Sequence, residues 1–442
     1  MNETIAAICT PPGEGGISVI RISGSDAYEI ANKIFTGDVF SYRSHTAHLG
    51  KILSNTDHVL DEVLLLAMEE GKSYTGEATI EIMGHGGMLL TQKVLARILE
   101  SGARPAGPGE FTLRAYRNGN IDLAQAEAIQ ALIGAKNERA LNAAEKQLSG
   151  KLSVKIRDLQ KCLTDIAAII EAWVDYPEEG LEFASLSEII EMVQNIHTKI
   201  DKLILTFHDG KRITQGISLC LLGSPNVGKS SLMNALLNSD RAIVTPIPGT
   251  TRDLLSEELR IGGYHFTLTD TAGIRSTEEL VEIEGIRRSK KAAQDSDIIL
   301  IVLDATKPLS DEEQSLIDQH KDAIIVWNKI DLPHTSPSSG IKISAKNFSG
   351  IDTLKTALQE RIKNGIISDK DEIIITQERH FLALKNASRF IKTIITSLQT
   401  DISPEFIVSD IRGALKELSQ IIGTNITEDI LGAIFSKFCV GK

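Results

Sequence analysis

The sequence predicts a multidomain chain: an α+β N-terminal domain, an all-α middle domain, and a P-loop α/β domain inserted into the helical one. Three observations carry this. The chain has 442 residues, 42% hydrophobic and 24% charged, which exceeds one ordinary core and calls for two to three domains. Its texture changes near residue 120 from short apolar runs to helical spacing. Finally, an apolar run ending at Leu222 leads straight into a glycine-rich phosphate loop.

From Ile5 to Gly119, runs such as Ile17-Ser18-Val19-Ile20 and Val63-Leu64-Leu65-Leu66-Ala67 alternate with glycine and proline, so 1–119 reads as a strand-rich α+β domain. From Asp122, Ala, Leu, Glu and Gln recur at helical spacing, with a break near Tyr176-Pro177-Glu178-Glu179-Gly180 and a resumption from Ser185 to His208. This is the first part of the helical domain, 120–213, and Asp209-Gly210 reads as the joint that closes it. From Ile217 to about Lys363, β-rich and helical runs alternate, the pattern of a parallel sheet, which assigns 214–371 to the inserted domain. Helices expected over Glu378–Thr400 and Pro404–Ile422, with a short last one ending at Phe438, complete the helical domain over 372–442.

The bulk properties exclude several classes. The start, Met1-Asn2-Glu3-Thr4, lacks a basic leader region, and no apolar stretch approaches the ~20 residues that span a bilayer, so a cytoplasmic protein without membrane contact is expected. Cys9, Cys162, Cys220 and Cys439 lie too far apart in sequence for a zinc or redox motif. A formal net charge of −12 disfavours broad attraction to nucleic-acid backbone, so any nucleic acid is held locally or by a partner.

The candidate site is a series of loops that each follow a strand. Gly223-Ser224-Pro225-Asn226-Val227-Gly228-Lys229-Ser230 is a P-loop: its amides wrap phosphate oxygens, Lys229 reaches the β and γ phosphates, and Ser230, next to Ser231, ligates Mg²⁺. Gly249-Thr250-Thr251-Arg252-Asp253 follows, in a loop after Pro246 and Pro248, where a threonine, Thr251, completes the Mg²⁺ shell and senses the γ-phosphate. In Asp270-Thr271-Ala272-Gly273, Asp270 holds the metal through water and the Gly273 N–H meets the γ-phosphate. Asn328-Lys329-Ile330-Asp331 selects guanine, because the Asp331 carboxylate accepts from both N1–H and the exocyclic amine. Ser344-Ala345-Lys346 backs the base. Together these specify GTP binding and hydrolysis. The position after Gly273 is Ile274, not the glutamine that orients water in Ras-type enzymes, so hydrolysis needs another polar group, a partner or an ion.

Outside these loops stand Thr10-Pro11-Pro12-Gly13, Arg21-Ile22-Ser23-Gly24, Tyr74-Thr75-Gly76-Glu77, Gly84-His85-Gly86-Gly87, Pro108-Gly109-Glu110-Phe111, Asp122-Leu123-Ala124-Gln125-Ala126-Glu127-Ala128 and Phe438-Cys439-Val440-Gly441-Lys442. With them the whole chain resembles the MnmE (TrmE) family of tRNA-modifying GTPases. The resemblance implies a folate-binding-like N-terminal domain that dimerises, and a heterotetramer with the FAD-dependent MnmG, which also carries NADH. It implies addition of an aminomethyl or carboxymethylaminomethyl group to C5 of wobble uridine 34 of certain tRNAs. The one-carbon unit would come from 5,10-methylenetetrahydrofolate or a formyl analogue.

By the same resemblance, Asn226, Thr245, Ile247 and Thr250 match K⁺ ligands and Glu282 matches the glutamate that orients the attacking water. Taken alone, Glu282 reads as a solvated helix carboxylate. Arg21, Glu81 and Lys442 match folate contacts, and Asn120 stands where some members have lysine. Arg21 by itself equally fits a strand-edge salt bridge. Cys439, at the end of a short apolar helix, reads either as a small core hydrophobe or as a catalytic group beside Lys437 or Lys442.

Two other functions fit the nucleotide loops: a ribosome-assembly switch resembling Era, and a stand-alone one-carbon transferase regulated by GTP. The first needs a basic RNA-binding module, which the sequence lacks. Against the second, no strand is followed by a flavin fingerprint, which leaves redox chemistry to a partner.

Overall fold

In the run Val59–Met68, Asp61, Val63, Leu65 and Ala67 are buried and the residues between them more exposed, the period-two signature of a strand with one covered face. The computed structural model describes residues 3–175, 185–239, 256–262, 264–269, 296–334, 339–363, 373–400 and 402–442. By Cα proximity the chain divides into two compact units, Met1–Ile133 with Lys146–His197 and Asn386–Lys442, and Gly134–Glu145 with Thr198–Lys385.

The first unit holds a six-stranded sheet of β1 (Ile5–Ile8), β2 (Gly15–Ser23), β3 (Thr46–Leu53), β4 (Val59–Met68), β5 (Thr79–Gly86) and β6 (Arg104–Pro105), in the order β3-β4-β5-β2-β1-β6. All neighbours are antiparallel except β1 and β6. Helix α1 (Ala27–Ile34) buries Ala27, Ile30, Ala31 and Ile34, a stripe at helical spacing, and α2 (Met88–Glu100) adds Val94 and Ile98. Both stripes pack on Ile20, Ile22, Val63, Leu65, Ile80 and Ile82 of the sheet. A smaller cluster, Ile5, Ala7, Ala106 and Phe111 with Tyr74, gathers β1 and the start of α3 (Glu110–Arg117).

Arg114 of α3 is only 3% exposed and sits at the centre of an ion network. It donates to both Glu77 oxygens at 2.9 and 3.1 Å, to Glu110 Oε1 at 3.0 Å and to Glu3 O at 2.9 Å. Arg104 clasps the Glu110 carboxylate at 2.6 and 2.9 Å, and the Gly107 N–H adds a fourth donor at 2.8 Å.

Helices α4 (Leu123–Ile133), α5 (Glu138–Leu148), α6 (Lys151–Asp175), α7 (Leu186–Leu205) and α8 (Phe207–Gln215) follow. The helix Pro404–Ile422, started by a proline and stopped by left-handed Gly423, packs along α6. The expected joint at Asp209-Gly210 is not one, because α8 runs through both residues. Gly210 lacks a side chain there because one would strike Ile375 O; the chain turns instead at Gly216, φ +89°. The last helix, Glu428–Phe435, also ends before the expected Phe438.

The second unit carries β7 (Ile217–Leu222), β8 (Ser256–Ile261), β9 (Tyr264–Thr269), β10 (Ile298–Asp304), β11 (Ile324–Asn328) and β12 (Ile341–Lys342). Their order is β12-β11-β10-β7-β9-β8, parallel throughout except for β8 against β9. Alternate residues of β7 and β10 enter opposite clusters: Leu219, Leu221, Leu300 and Val302 on one face, Cys220, Leu222, Ile301 and Leu303 on the other. A parallel sheet covered on both faces demands such unbroken apolar runs.

Burial alone would raise the Glu110 carboxyl, but hydrogen bonds from Arg104, Gly107 and Arg114 outweigh it and hold its pKa at about 2, against an ordinary 4.5. The folded value lies below the unfolded one, so this stabilisation is complete above about pH 4.5 and disappears as pH falls towards 2. Denaturant titrations should show the native chain more stable than Glu110→Gln by about 1–2 kcal/mol near neutrality, a figure reduced for solvent screening at Arg104. The gap should close in acid.

Candidate functional site

Strand β7 ends at Leu222, and seven residues later Lys229 opens helix α9 (Lys229–Ser239). The turn between them depends on backbone that few side chains permit. Gly223 has φ +143° and Gly228 φ +99°, and a β-carbon would meet Val302 O at the first and the Asn328 amide at the second. Asn226 is left-handed at φ +62° and exposed, whereas Val227 is buried. Lys229 folds back on the loop, its Nζ donating to Gly223 O at 2.7 Å and Ser224 O at 2.9 Å. Ser230 and Ser231 are exposed in the first turn of α9, where free N–H groups and the helix dipole favour an anion.

The buried Asn328, at the end of β11, ties three loops together. Its Nδ2 donates to Val227 O at 2.9 Å, and its Oδ1 accepts from Ala345 N at 3.0 Å. Next to it Lys329, left-handed at φ +69°, donates to Asn226 O at 2.8 Å and Asp304 Oδ2 at 2.6 Å. Burial pushes Asp304 up, but Lys329 and Thr306 outweigh that and leave its carboxyl below the usual range. The exposed Asp331 accepts from Ser344 Oγ at 2.7 Å, which lowers its carboxyl below the usual aspartate range. Ser344 Oγ in turn accepts from Asn347 N at 3.2 Å, while Ala345 is buried and Lys346 exposed. Hydrogen bonds thus join the loop that runs through Asn226, Val227, Gly228 and Lys229 into Ser230 and Ser231 to the loops of Asn328, Lys329 and Asp331 and of Ser344, Ala345 and Lys346. Thr245, Pro246, Ile247, Pro248, Gly249, Thr250, Thr251, Asp270, Thr271, Ala272, Gly273 and Glu282 lie outside the described residues.

A second constellation lies in the first unit. Arg21 and Glu81 are in register across β2 and β5 and pair at 2.7 and 2.8 Å. The Arg21 guanidinium lies 5.6 Å from the centre of the Tyr74 ring and 5.4 Å from that of Phe111. The segment Cys439–Lys442 comes to the same place: Gly109 N donates to Cys439 O at 3.3 Å and Phe111 N to Lys442 O at 3.2 Å. Val440 bridges Pro108, and Gly441, φ +96°, leaves no room for a side chain against Ile8 O. Burial raises the Cys9 thiol, an effect opposed by Arg21, reinforced by Glu81 and opposed by Lys442, which places Cys9 in the same electrostatic neighbourhood. Asn120 donates to Tyr74 O at 3.0 Å and Ser73 O at 3.4 Å, so its amide holds the Tyr74 loop. Cys439 is exposed beyond the last helix, which removes the reading of it as a core hydrophobe.

Two family models match the chain: one described as "MnmE helical domain" over residues 123–439, and one as "GTP-binding protein TrmE N-terminus" over residues 4–120. The chain belongs to the MnmE family. A relative from Protochlamydia amoebophila, named tRNA modification GTPase MnmE, is 55% identical over 449 residues, covering 100% of this chain and 98% of its own. MnmE proteins of the same description from Thermoanaerobacter sp. (strain X514) and Chlamydia abortus are each 42% identical, over 457 and 445 residues, covering 100% of this chain and 99% of their own. Among the described residues, no helix of this MnmE family member is long and apolar enough to cross a membrane.

The sequence assigned no site role to Asp304, Cys9 or the aromatic pair Tyr74 and Phe111, although the two rings lie in motifs that carry the resemblance. An acidic residue ending a buried parallel strand was the signal for Asp304. Cys9 and the rings become visible only once β1, β2 and α3 are assembled. Asn328→Ala should leave Val227 O and Ala345 N unpaired, at about 1–3 kcal/mol for each. We expect a matching loss of stability in thermal unfolding and weaker guanine-nucleotide binding by calorimetry.

Proposed function

We propose that the chain binds GTP with Mg²⁺, hydrolyses it, and does so in the service of tRNA modification, as the names of its MnmE relatives describe for those proteins. The observation that carries this reading is the Asn328 junction, which fixes the phosphate loop and the base loops against one another through 2.9 and 3.0 Å hydrogen bonds. Lys229 exchanges its loop carbonyls for phosphate oxygens. Asp331, ionised and oriented by Ser344, accepts the two guanine donors that adenine does not offer. Ser230, an exposed hydroxyl in the first turn of α9, fits a hard divalent cation, with Thr251 as the second ligand. Bound Mg²⁺ and K⁺ supply positive charge beside the phosphates. Exposed, left-handed Asn226 suits the K⁺ role, with Thr245, Ile247 and Thr250, and Glu282 orients the attacking water in place of the missing glutamine.

The remaining chemistry belongs to the Arg21 constellation. A cation–carboxylate pair between two aromatic rings, with Lys442 nearby, fits a ligand that has a flat polar ring and carboxylates, here 5,10-methylenetetrahydrofolate or its formyl analogue. This supports a folate-binding-like assignment for 1–119. Asn120 shapes the site through Tyr74, and exposed Cys439 is free to take part in the transfer. In this reading the protein is a cytoplasmic homodimer, joined through 1–119, with the G domain inserted at 214–371. It works with the FAD- and NADH-dependent MnmG on C5 of wobble uridine 34.

Purified protein should hydrolyse GTP faster in K⁺ than in Na⁺, and Asn226→Ala and Glu282→Ala should each cut the K⁺-stimulated rate by roughly 100-fold. A rate indifferent to the cation and to both substitutions would leave a generic GTPase and favour a switch protein.

A further inference from the structure

We infer that Glu110 is a positioning residue that seats the segment Cys439–Lys442 against the Arg21–Glu81 pair. Its importance for one-carbon chemistry rests on the reading of that site given above; the seating itself does not.

The segment is held by main-chain groups. The N–H groups of Gly109 and Phe111, which flank Glu110, donate to Cys439 O and Lys442 O, and Pro108 bridges Val440. Those two amides point at the segment only because the loop 107–111 is folded tightly, with Gly109 left-handed at φ +63°. A β-carbon there would lie 2.9 Å from both Phe435 O and Phe438 Cβ. The loop is closed twice, by the Glu110 N–H donating to Gly107 O at 3.3 Å and by the Glu110 carboxylate, which turns back to accept from the Gly107 N–H at 2.8 Å. Arg104 fixes the same carboxylate through two nitrogens, and Arg114 fixes it through a third while anchoring itself to Glu77 and Glu3. The Glu110 carboxylate is thus taken up by Arg104, Arg114 and Gly107 rather than by the segment or Arg21. It acts through the two amides beside it and through the Phe111 ring, 5.4 Å from the Arg21 guanidinium. Without its charge, the buried Arg114 loses one of its two carboxylate partners, and the loop keeps only the main-chain bond from Glu110 N to Gly107 O to aim both amides at the segment.

The test uses the full chain. Gly441 packs over the Cys9 backbone, so alkylation of Cys9, followed by mass spectrometry on its peptide, reports whether the segment is seated. Glu110→Gln should raise the Cys9 alkylation rate about tenfold, the expected cost of a lost charge-assisted hydrogen bond. Amide exchange across 438–442 should rise with it, while buried Cys220 and the amides of β4 stay as protected as before. Gly441→Val, which unseats the segment from its own side, should give the same pattern. Arg104→Lys, which keeps the charge but not the two-pronged contact, should fall between. If Glu110→Gln does not fold, the last two variants carry the test. A folded Glu110→Gln whose Cys9 and 438–442 stay as protected as in the native chain overturns the inference. Binding of 5-formyltetrahydrofolate, measured in parallel, should weaken with the seating. Unseating without any change in that binding would support the role of Glu110 and overturn the folate reading instead.

Discussion

A guanidinium taken out of water must be met by anions, and Arg114 is 3% exposed. Much of the N-terminal half follows from that requirement. Glu77 reaches Arg114 from the turn before β5, where the Ser23 hydroxyl also steadies it at 2.8 Å. Glu110 reaches it from the preceding turn of α3 and brings Arg104 with it. One buried cation thus cross-braces the end of β2, the 73–77 loop and the start of α3. These are the segments that carry the Tyr74 and Phe111 rings to Arg21.

The nucleotide unit solves the same problem of loop placement with neutral groups. Asn328 uses one side-chain N–H and its carbonyl oxygen, held at fixed separation, on main-chain atoms of two different loops. Burying a neutral amide that is hydrogen-bonded through both its nitrogen and its oxygen costs far less than burying a charge. Its neighbour Lys329 keeps a left-handed backbone that costs about 1–3 kcal/mol, offset by bonds to Asn226 O and Asp304. Loops held in such a state before nucleotide arrives have less to reorganise when it does.

Local signals in the sequence gave the elements most faithfully. A six-residue run, apolar but for Ser218, before a glycine marked β7 as Ile217–Leu222, and proline at the start and glycine after the end marked the helix Pro404–Ile422. Gly210 misled because a glycine that permits close packing in a helix looks, in sequence, like one that ends it. The loops around Gly223 and Asn328 were legible because their residues are contiguous. The Arg21 constellation was not: Arg21 and Glu81 are paired across two strands, Phe111 and Tyr74 come from separate turns, and Lys442 arrives from the far end of the sequence. Only resemblance to a family pointed to Arg21, Glu81 and Lys442. Of the Arg114 network, which joins residues up to 111 positions apart, only the Glu110–Arg114 pair, one helical turn apart, left a local trace.

The way Cys439–Lys442 is held has an evolutionary consequence. Its partners are amides and carbonyls, which every residue possesses, while the Val440 side chain is 56% exposed and contributes little to the contact. Position 440 is therefore open to drift among residues that tolerate an extended bridge. Position 441 has no such latitude, since its left-handed backbone lies directly on Ile8 O. A motif governed this way keeps its spacing and its glycine over long divergence, and it lets the residue between cysteine and glycine wander.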